Sequence, residues 1–183
     1  MNPQLQAVID ELHSASERLR RLAATVPAER WAERPGPERW SVGECIAHLN
    51  LTSQAYMPKI AAILADAPRT GAPARFRRDI LGWLIWRVLK PGGGGKAKTT
   101  AAFIPTGTEP AAEIIATFED LQRQQEEIIR QSDGMPLHKL KVGSPFSDKM
   151  KYSVYSALTI LPRHQHRHLL QAERAWAEIS ARG

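Results

Sequence analysis

The chain has 183 residues, 43% hydrophobic and 24% charged, with a single cysteine, a length that suits one domain (1–183) able to bury its own core without disulfides. One thiol excludes an internal disulfide and fits a reducing, cytoplasmic setting, and Met1-Asn2-Pro3-Gln4 opens directly into a polar helical pattern rather than a signal peptide. The longest apolar run, 80–89, contains Arg87 and is too short to cross a bilayer, and the net charge of +6 bears on anionic partners rather than on fold.

A first helix is expected from Pro3 to Ala24, where Leu5, Val8, Ile9, Leu12, Ala15, Leu19 and Leu22 recur at three- and four-residue spacing. Pro3 suits a first turn and Val26-Pro27 ends the pattern. His13 falls beside that stripe, with Glu17 and Arg20, and reads as a surface residue. The prolines and glycine between Pro27 and Arg39 mark a loop with at most one helical turn.

Ser41 and Glu44 then form a capping-box pattern that starts a second helix, expected to run to about Ala65. Val42, Cys45, Ile46, Leu49, Ala55, Tyr56, Ile60 and Ile63 hold its period, with Pro58 a local irregularity. Cys45 reads as a small buried residue, and His48 lies between Cys45 and Leu49 on the inward side.

Residues 68–110 read as an insertion carrying a short basic, aromatic-rich helix over Arg75–Lys90, stopped by Pro91 and four glycines. That helix is expected to cover the end of the bundle with its aromatics packed underneath, the alternative being contact with a phosphate or other anion through Arg75, Arg77, Arg78, Lys96 and Lys98. The glycine run lacks the spacing and the hydroxyl residue of a nucleotide-binding phosphate loop.

A third long helix is expected from near Thr108 to Gln131, with Ala112, Ile115, Phe118, Leu121, Ile128 and Ile129 inward and its glutamates and glutamines on a solvated face. Ser132-Asp133-Gly134 ends it, and 135–149 reads as an irregular loop holding His138. No strand is expected. The last helix, from about Tyr152 to Ile179, places His164 and His168 one turn apart on the stripe of Leu158, Leu161, Ala172, Ala175 and Ile179, while His166 points away. The pattern is that of an all-α four-helix bundle, with the short basic helix inserted between its second and third members. Two imidazoles at this spacing can converge on one ion.

The stretch Trp40-Ser41-Val42-Gly43-Glu44-Cys45-Ile46-Ala47-His48-Leu49, taken with Leu161-Pro162-Arg163-His164-Gln165-His166-Arg167-His168-Leu169-Leu170-Gln171, resembles the DinB/YfiT-like family. The resemblance covers nearly the whole chain outside 68–110. It implies a four-helix bundle with a divalent metal on three histidines, here His48, His164 and His168. Zinc or nickel is the expected ion, with manganese and iron as alternatives. The resemblance further implies transfer or isomerisation with a low-molecular-weight thiol activated on the ion. Hydroxide there would instead make a hydrolase, and a metal-stabilised bundle that binds a small molecule without turnover is the non-enzymatic alternative. Glu44 is a candidate base or outer-shell group, with Gln171 and Thr52 also in outer-shell positions. The expected partners are a small-molecule substrate and a thiol, with a homodimer also open. Neither nucleic acid nor a membrane is expected.

Overall fold

The computed structural model describes residues 1–93, 99–107 and 109–182, so the expectations placed on Lys96, Lys98 and Thr108 lie outside the described residues. In chain order come α1 (Pro3–Thr25), α2 (Val42–Ala65), α3 (Ile80–Val88), α4 (Ala111–Gln131), the strands β1 (Lys141–Ser144) and β2 (Ser147–Ser153), and α5 (Val154–Ser180). Single 3-10 turns lie at Ala28–Arg30 and Ala101–Phe103.

The four long helices form a ring in which α1 and α2 each pack against both α4 and α5. Its interior holds two apolar clusters. Leu5, Leu12, Tyr56, Ile60, Tyr155 and Leu158 belong to one, and Leu19, Val42, Ile46, Phe118, Leu169 and Ala172 to the other. Along α5 the first cluster ends at Leu161 and the second begins at Leu169, so His164 and His168 fall between them.

Four expectations need correction. The region after α4 is not wholly irregular: β1 and β2 make an antiparallel hairpin in which Val142 faces Tyr152, both fully buried. The hydroxyl of Tyr152 also meets that of Tyr56. This short polar run takes up strand geometry because burial of two side chains selects it, which intrinsic propensity does not reveal. Second, α4 starts only at Ala111, because Glu109 precedes Pro110 and is disfavoured in helical conformation. Third, Gln122 and Gln125 are core residues rather than solvated ones. Gln165 of α5 donates to the Gln122 side-chain oxygen at 2.8 Å, and Gln122 donates to Leu12 O at 2.9 Å, so the amide donors of both side chains are met within the core.

The fourth concerns the inserted helix. It begins at Ile80, not Arg75, because Asp79 caps it by accepting from the Gly82 amide, leaving Arg75, Arg77 and Arg78 in the non-helical lead-in. It lies lengthwise along α5 rather than over the bundle end. At its start Asp79 also accepts from the Ser156 hydroxyl at 2.8 Å, the Ser153 amide at 3.0 Å and Lys141 Nζ at 2.6 Å. Gly82 sits against Ser156 so closely that a Cβ would overlap that side chain. At its far end Arg163 donates to Trp86 O, and Arg167 to Val88 O and Lys90 O, so arginines of α5 satisfy carbonyls at the helix end. The guanidinium groups of Arg78 and Arg163 lie 4.3 and 4.0 Å from the Trp86 ring centre.

Burial pushes the Asp79 carboxyl up, but Lys141, Ser156 and the Ser153 amide pull it down further, leaving it below the usual aspartate value. A carboxyl held low in the fold stabilises above its unfolded pKa and loses that contribution as pH falls through the folded value. Asp79→Ala is expected to reduce unfolding free energy by about 2 kcal/mol at neutral pH, through loss of a cap and of charge-assisted hydrogen bonds. Urea denaturation across an acid pH series checks this: the gap between wild type and Asp79→Ala should narrow as the carboxyl protonates.

Candidate metal centre

Local backbone chemistry fixes where α2 begins. The Trp31 carbonyl accepts the Gly43 amide at 2.9 Å, and a Cβ on Gly43 would stand only 3.1 Å from that oxygen. The Ser41 hydroxyl accepts from the Glu44 amide at 3.1 Å while Glu44 accepts from the Ser41 amide at 2.8 Å, completing the capping box read from sequence. Arg34 also donates to the Glu44 carboxylate at 2.9 Å. Burial raises the Glu44 carboxyl, and Arg34 with Ser41 outweigh it, so the group lies below the usual glutamate value and is ionised at neutral pH.

Six residues after that cap's first helical position, His48 projects inward and is 2% exposed. Its Nδ1 lies 2.7 Å from the Phe103 carbonyl, which can only accept, so Nδ1 carries the proton and Nε2 the lone pair. Because α2 and α5 run antiparallel, with Tyr56 meeting Tyr152 lower down, this Nε2 arrives 3.3 Å from His164 Nε2. His168, one turn on, completes the group: ring centres are 5.1 Å apart for His48 and His164, and 4.5 Å for each pair involving His168. One ligand atom from each of the three lies within 4.8 Å of the others.

These donors fit a divalent ion. Two nitrogens bound tetrahedrally at about 2.0–2.1 Å stand roughly 3.3–3.4 Å apart, matching the His48–His164 separation. That separation also serves an N–H···N bond between the rings in the absence of an ion. His168 Nδ1 is among five buried side-chain polar atoms without a hydrogen-bond partner among the described residues, and it is the one that belongs to the cluster. All three rings are held neutral. Burial lowers His48 against the opposing effect of the Phe103 carbonyl. His164 is pushed well below the ordinary value by burial, then by His168, His48 and Arg167. Burial, His48 and Arg167 bring His168 down to about 3, the Gln171 side chain acting against them. Neutral imidazole is the form that ligates.

The remaining sequence candidates separate cleanly. His166 turns to α1, where Arg18 donates to its Nδ1 at 2.9 Å and Glu11 lies 3.0 Å from its Nε2. His13 is an exposed partner of Glu126, and His138 packs near Phe76, away from the cluster. Burial drives the Cys45 thiol far up, with Glu44 adding to the effect, so it is a core residue rather than a nucleophile. The Thr52 hydroxyl donates to Leu49 O within its own helix.

Three residues assigned no role by sequence reading shape the centre. The Trp40 ring lies 4.9 Å from His48 and 5.8 Å from His168, and Phe146, in the hairpin turn, packs 6.2 Å from His164 and 4.6 Å from Phe103. Trp40 had a legible signal, since an apolar residue just before a helix cap commonly folds back on that helix. Phe103 had none, because the histidine uses its carbonyl oxygen. Removing the cap should loosen the centre from the α2 side: Glu44→Ala is expected to cost about 1–2 kcal/mol of stability and Ser41→Ala about 1 kcal/mol, read by chemical denaturation.

Comparison with known proteins matches the DinB superfamily over residues 11–172, a span that contains His48, His164 and His168. No curated protein and no solved structure matches the chain.

Proposed function

The chain belongs to the DinB superfamily, and from that membership and the three-histidine cluster we propose a metal-dependent enzyme that holds a divalent ion on His48, His164 and His168 and performs transfer or isomerisation with a low-molecular-weight thiol. The observation that carries the reading is the convergence of three neutral imidazoles, with ligand atoms within 4.8 Å, and no carboxylate or thiolate in the group. Three ligands leave a coordination position open, as catalytic rather than structural sites do. When bound, the ion supplies Lewis acidity that lowers the proton affinity of a thiol or water and polarises a carbonyl.

The chain's own residues set the conditions for that chemistry. The Phe103 carbonyl fixes the tautomer and ring orientation of His48, as partners beyond the ligands do in metal sites generally. Trp40, Phe103 and Phe146 wall the histidines with aromatic surface, which limits water and strengthens local electrostatics. The three rings add no negative charge, so an ion there keeps its full affinity for an anionic sulfur. Glu44, already engaged by Ser41 and Arg34, is assigned a positioning role through the cap on α2 rather than proton transfer. Nitrogen ligation favours zinc or nickel over the harder ions, with manganese and iron next.

Protein prepared without a polyhistidine tag is expected to carry near-stoichiometric zinc, nickel, manganese or iron by elemental analysis, and His48→Ala or His168→Ala to carry essentially none. A chelator should lower the thermal midpoint of the wild type but not of these variants, since an ion at about 100 times its Kd contributes roughly 2.7 kcal/mol to the folded state. Equal metal content in wild type and variants would overturn the site. With metal established, incubation with electrophiles and a panel of bacterial thiols should yield a thioether or isomerised product. Thiol-independent hydrolysis would make the protein a hydrolase, and absence of turnover on both panels a metal-stabilised binding protein.

A further inference from the structure

Six large apolar side chains are exposed among the described residues, and four share one face of the nine-residue helix α3: Ile80 at 80%, Trp83 at 45%, Leu84 at 46% and Val88 at 56%. Their spacing of three, one and four residues makes a single stripe. The opposite stripe, including Leu81, Ile85 and Trp86, packs onto the core. Helix α3 is therefore apolar on both sides. Its docking on α5 through Asp79, Gly82, Arg163 and Arg167 holds the outer stripe in a fixed orientation.

The net charge of the chain falls in the segment that carries this stripe. Eight of the 25 basic residues but only two of the 19 acidic ones fall in 68–110, so this segment carries the entire excess of +6 and the rest, with 17 of each sign, is neutral. One of those two acids, Asp79, is engaged inward by Lys141, Ser153 and Ser156. Beside the stripe, Arg75, Arg77, Arg78, Trp83 and Tyr155 help line an open cleft of about 350 Å³ with no carboxylate in its walls. None of these three arginines takes part in an ion pair among the described residues. Arg78 is anchored, its Nε donating to the Thr159 hydroxyl at 2.8 Å.

We propose that the outer face of α3, with Arg75, Arg77 and Arg87 around it, docks the protein peripherally on an anionic lipid surface. A bilayer carrying acidic headgroups uses both features: apolar side chains enter the headgroup boundary, and guanidinium forks take headgroup phosphates. A polyanion such as nucleic acid would engage the charges and leave the stripe in water. A second copy fits less well. Four partly exposed side chains bare a few hundred Å², short of the roughly 800 Å² per partner of a standard interface, and apposing two such faces would bring like charges together. This departs from the sequence expectation of no membrane partner, because the outward direction of Trp83 and Leu84 emerges only when α3 is docked.

The test is co-sedimentation of the full chain with phosphatidylcholine vesicles, with and without phosphatidylglycerol, at low and high salt. Binding should require phosphatidylglycerol and weaken with salt. Arg77→Gln and Arg87→Gln should each weaken it roughly fivefold, the equivalent of about 1 kcal/mol per basic residue at such a surface. Trp83→Glu with Leu84→Glu should abolish it while circular dichroism and metal content stay as in the wild type. Three results would overturn the proposal: no binding to acidic vesicles, binding that survives the double substitution and is displaced by duplex DNA, or a dimer in sedimentation equilibrium that the double substitution dissociates.

Discussion

The antiparallel contact of α2 with α5 is the constraint on which the rest depends, because it carries three polar rings into a core that offers them no carboxylate. His48 and His164 lose water and gain no carboxylate, so burial drives them to the neutral state. That cost is offset partly by backbone, through the Phe103 carbonyl, and partly by aromatic packing from Trp40 and Phe146. His168 Nδ1 is left without a hydrogen-bond partner inside the cluster. The histidines also lie where the two apolar clusters hand over along α5, so the site interrupts the core at one level only.

The connections between helices complete what the helices begin. Phe103 comes from the link before α4 and Phe146 from the turn of the hairpin, and they meet 4.6 Å apart beside the histidines. The hairpin holds its place through the buried Val142 and Tyr152. Asp79 ties the start of α3, Lys141 of β1 and the first turn of α5 to one carboxylate. The link before α3 is fastened to α1 as well, where the Gln4 side chain accepts the Phe76 amide at 2.6 Å and donates to its carbonyl at 3.2 Å. Segments that look peripheral in sequence thus set the orientation of α5, which bears two of the three ligands.

Helical periodicity made α1, α2 and α5 legible almost to the residue, since apolar stripes and the Ser41–Glu44 cap are local signals. The direction of each histidine in α5 followed from the same geometry: 164 and 168 inward, 166 across to α1. That His48 would meet them followed from the family resemblance, because no local pattern reports which helices become neighbours. Tertiary context decided the rest. Gln122 and Gln125 look solvated until Gln165 appears opposite them, and the hairpin looks like loop until Val142 and Tyr152 are buried against each other. The first basic residues of the insertion resembled helix until Asp79 was seen to start it later.

Charge and burial divide the molecule into two parts with different physical demands. The bundle is neutral in sum, and many of its opposite charges meet in pairs such as Arg18 with Glu173 and Arg39 with Glu178. The 68–110 segment does the reverse, concentrating unmatched positive charge beside an apolar stripe that contributes nothing to the core. Exposed apolar side chains stabilise neither the fold nor solubility, and clustered like charges oppose folding locally, so both features raise the free energy of the isolated chain. The stripe lies on a helix fastened at both ends by Asp79, Arg163 and Arg167, and Arg75, Arg77 and Arg78 stand on the segment that leads into it. A segment held that firmly in an unfavourable arrangement is a surface built to meet something outside the bundle, while the histidine centre faces inward and is set by α2 and α5.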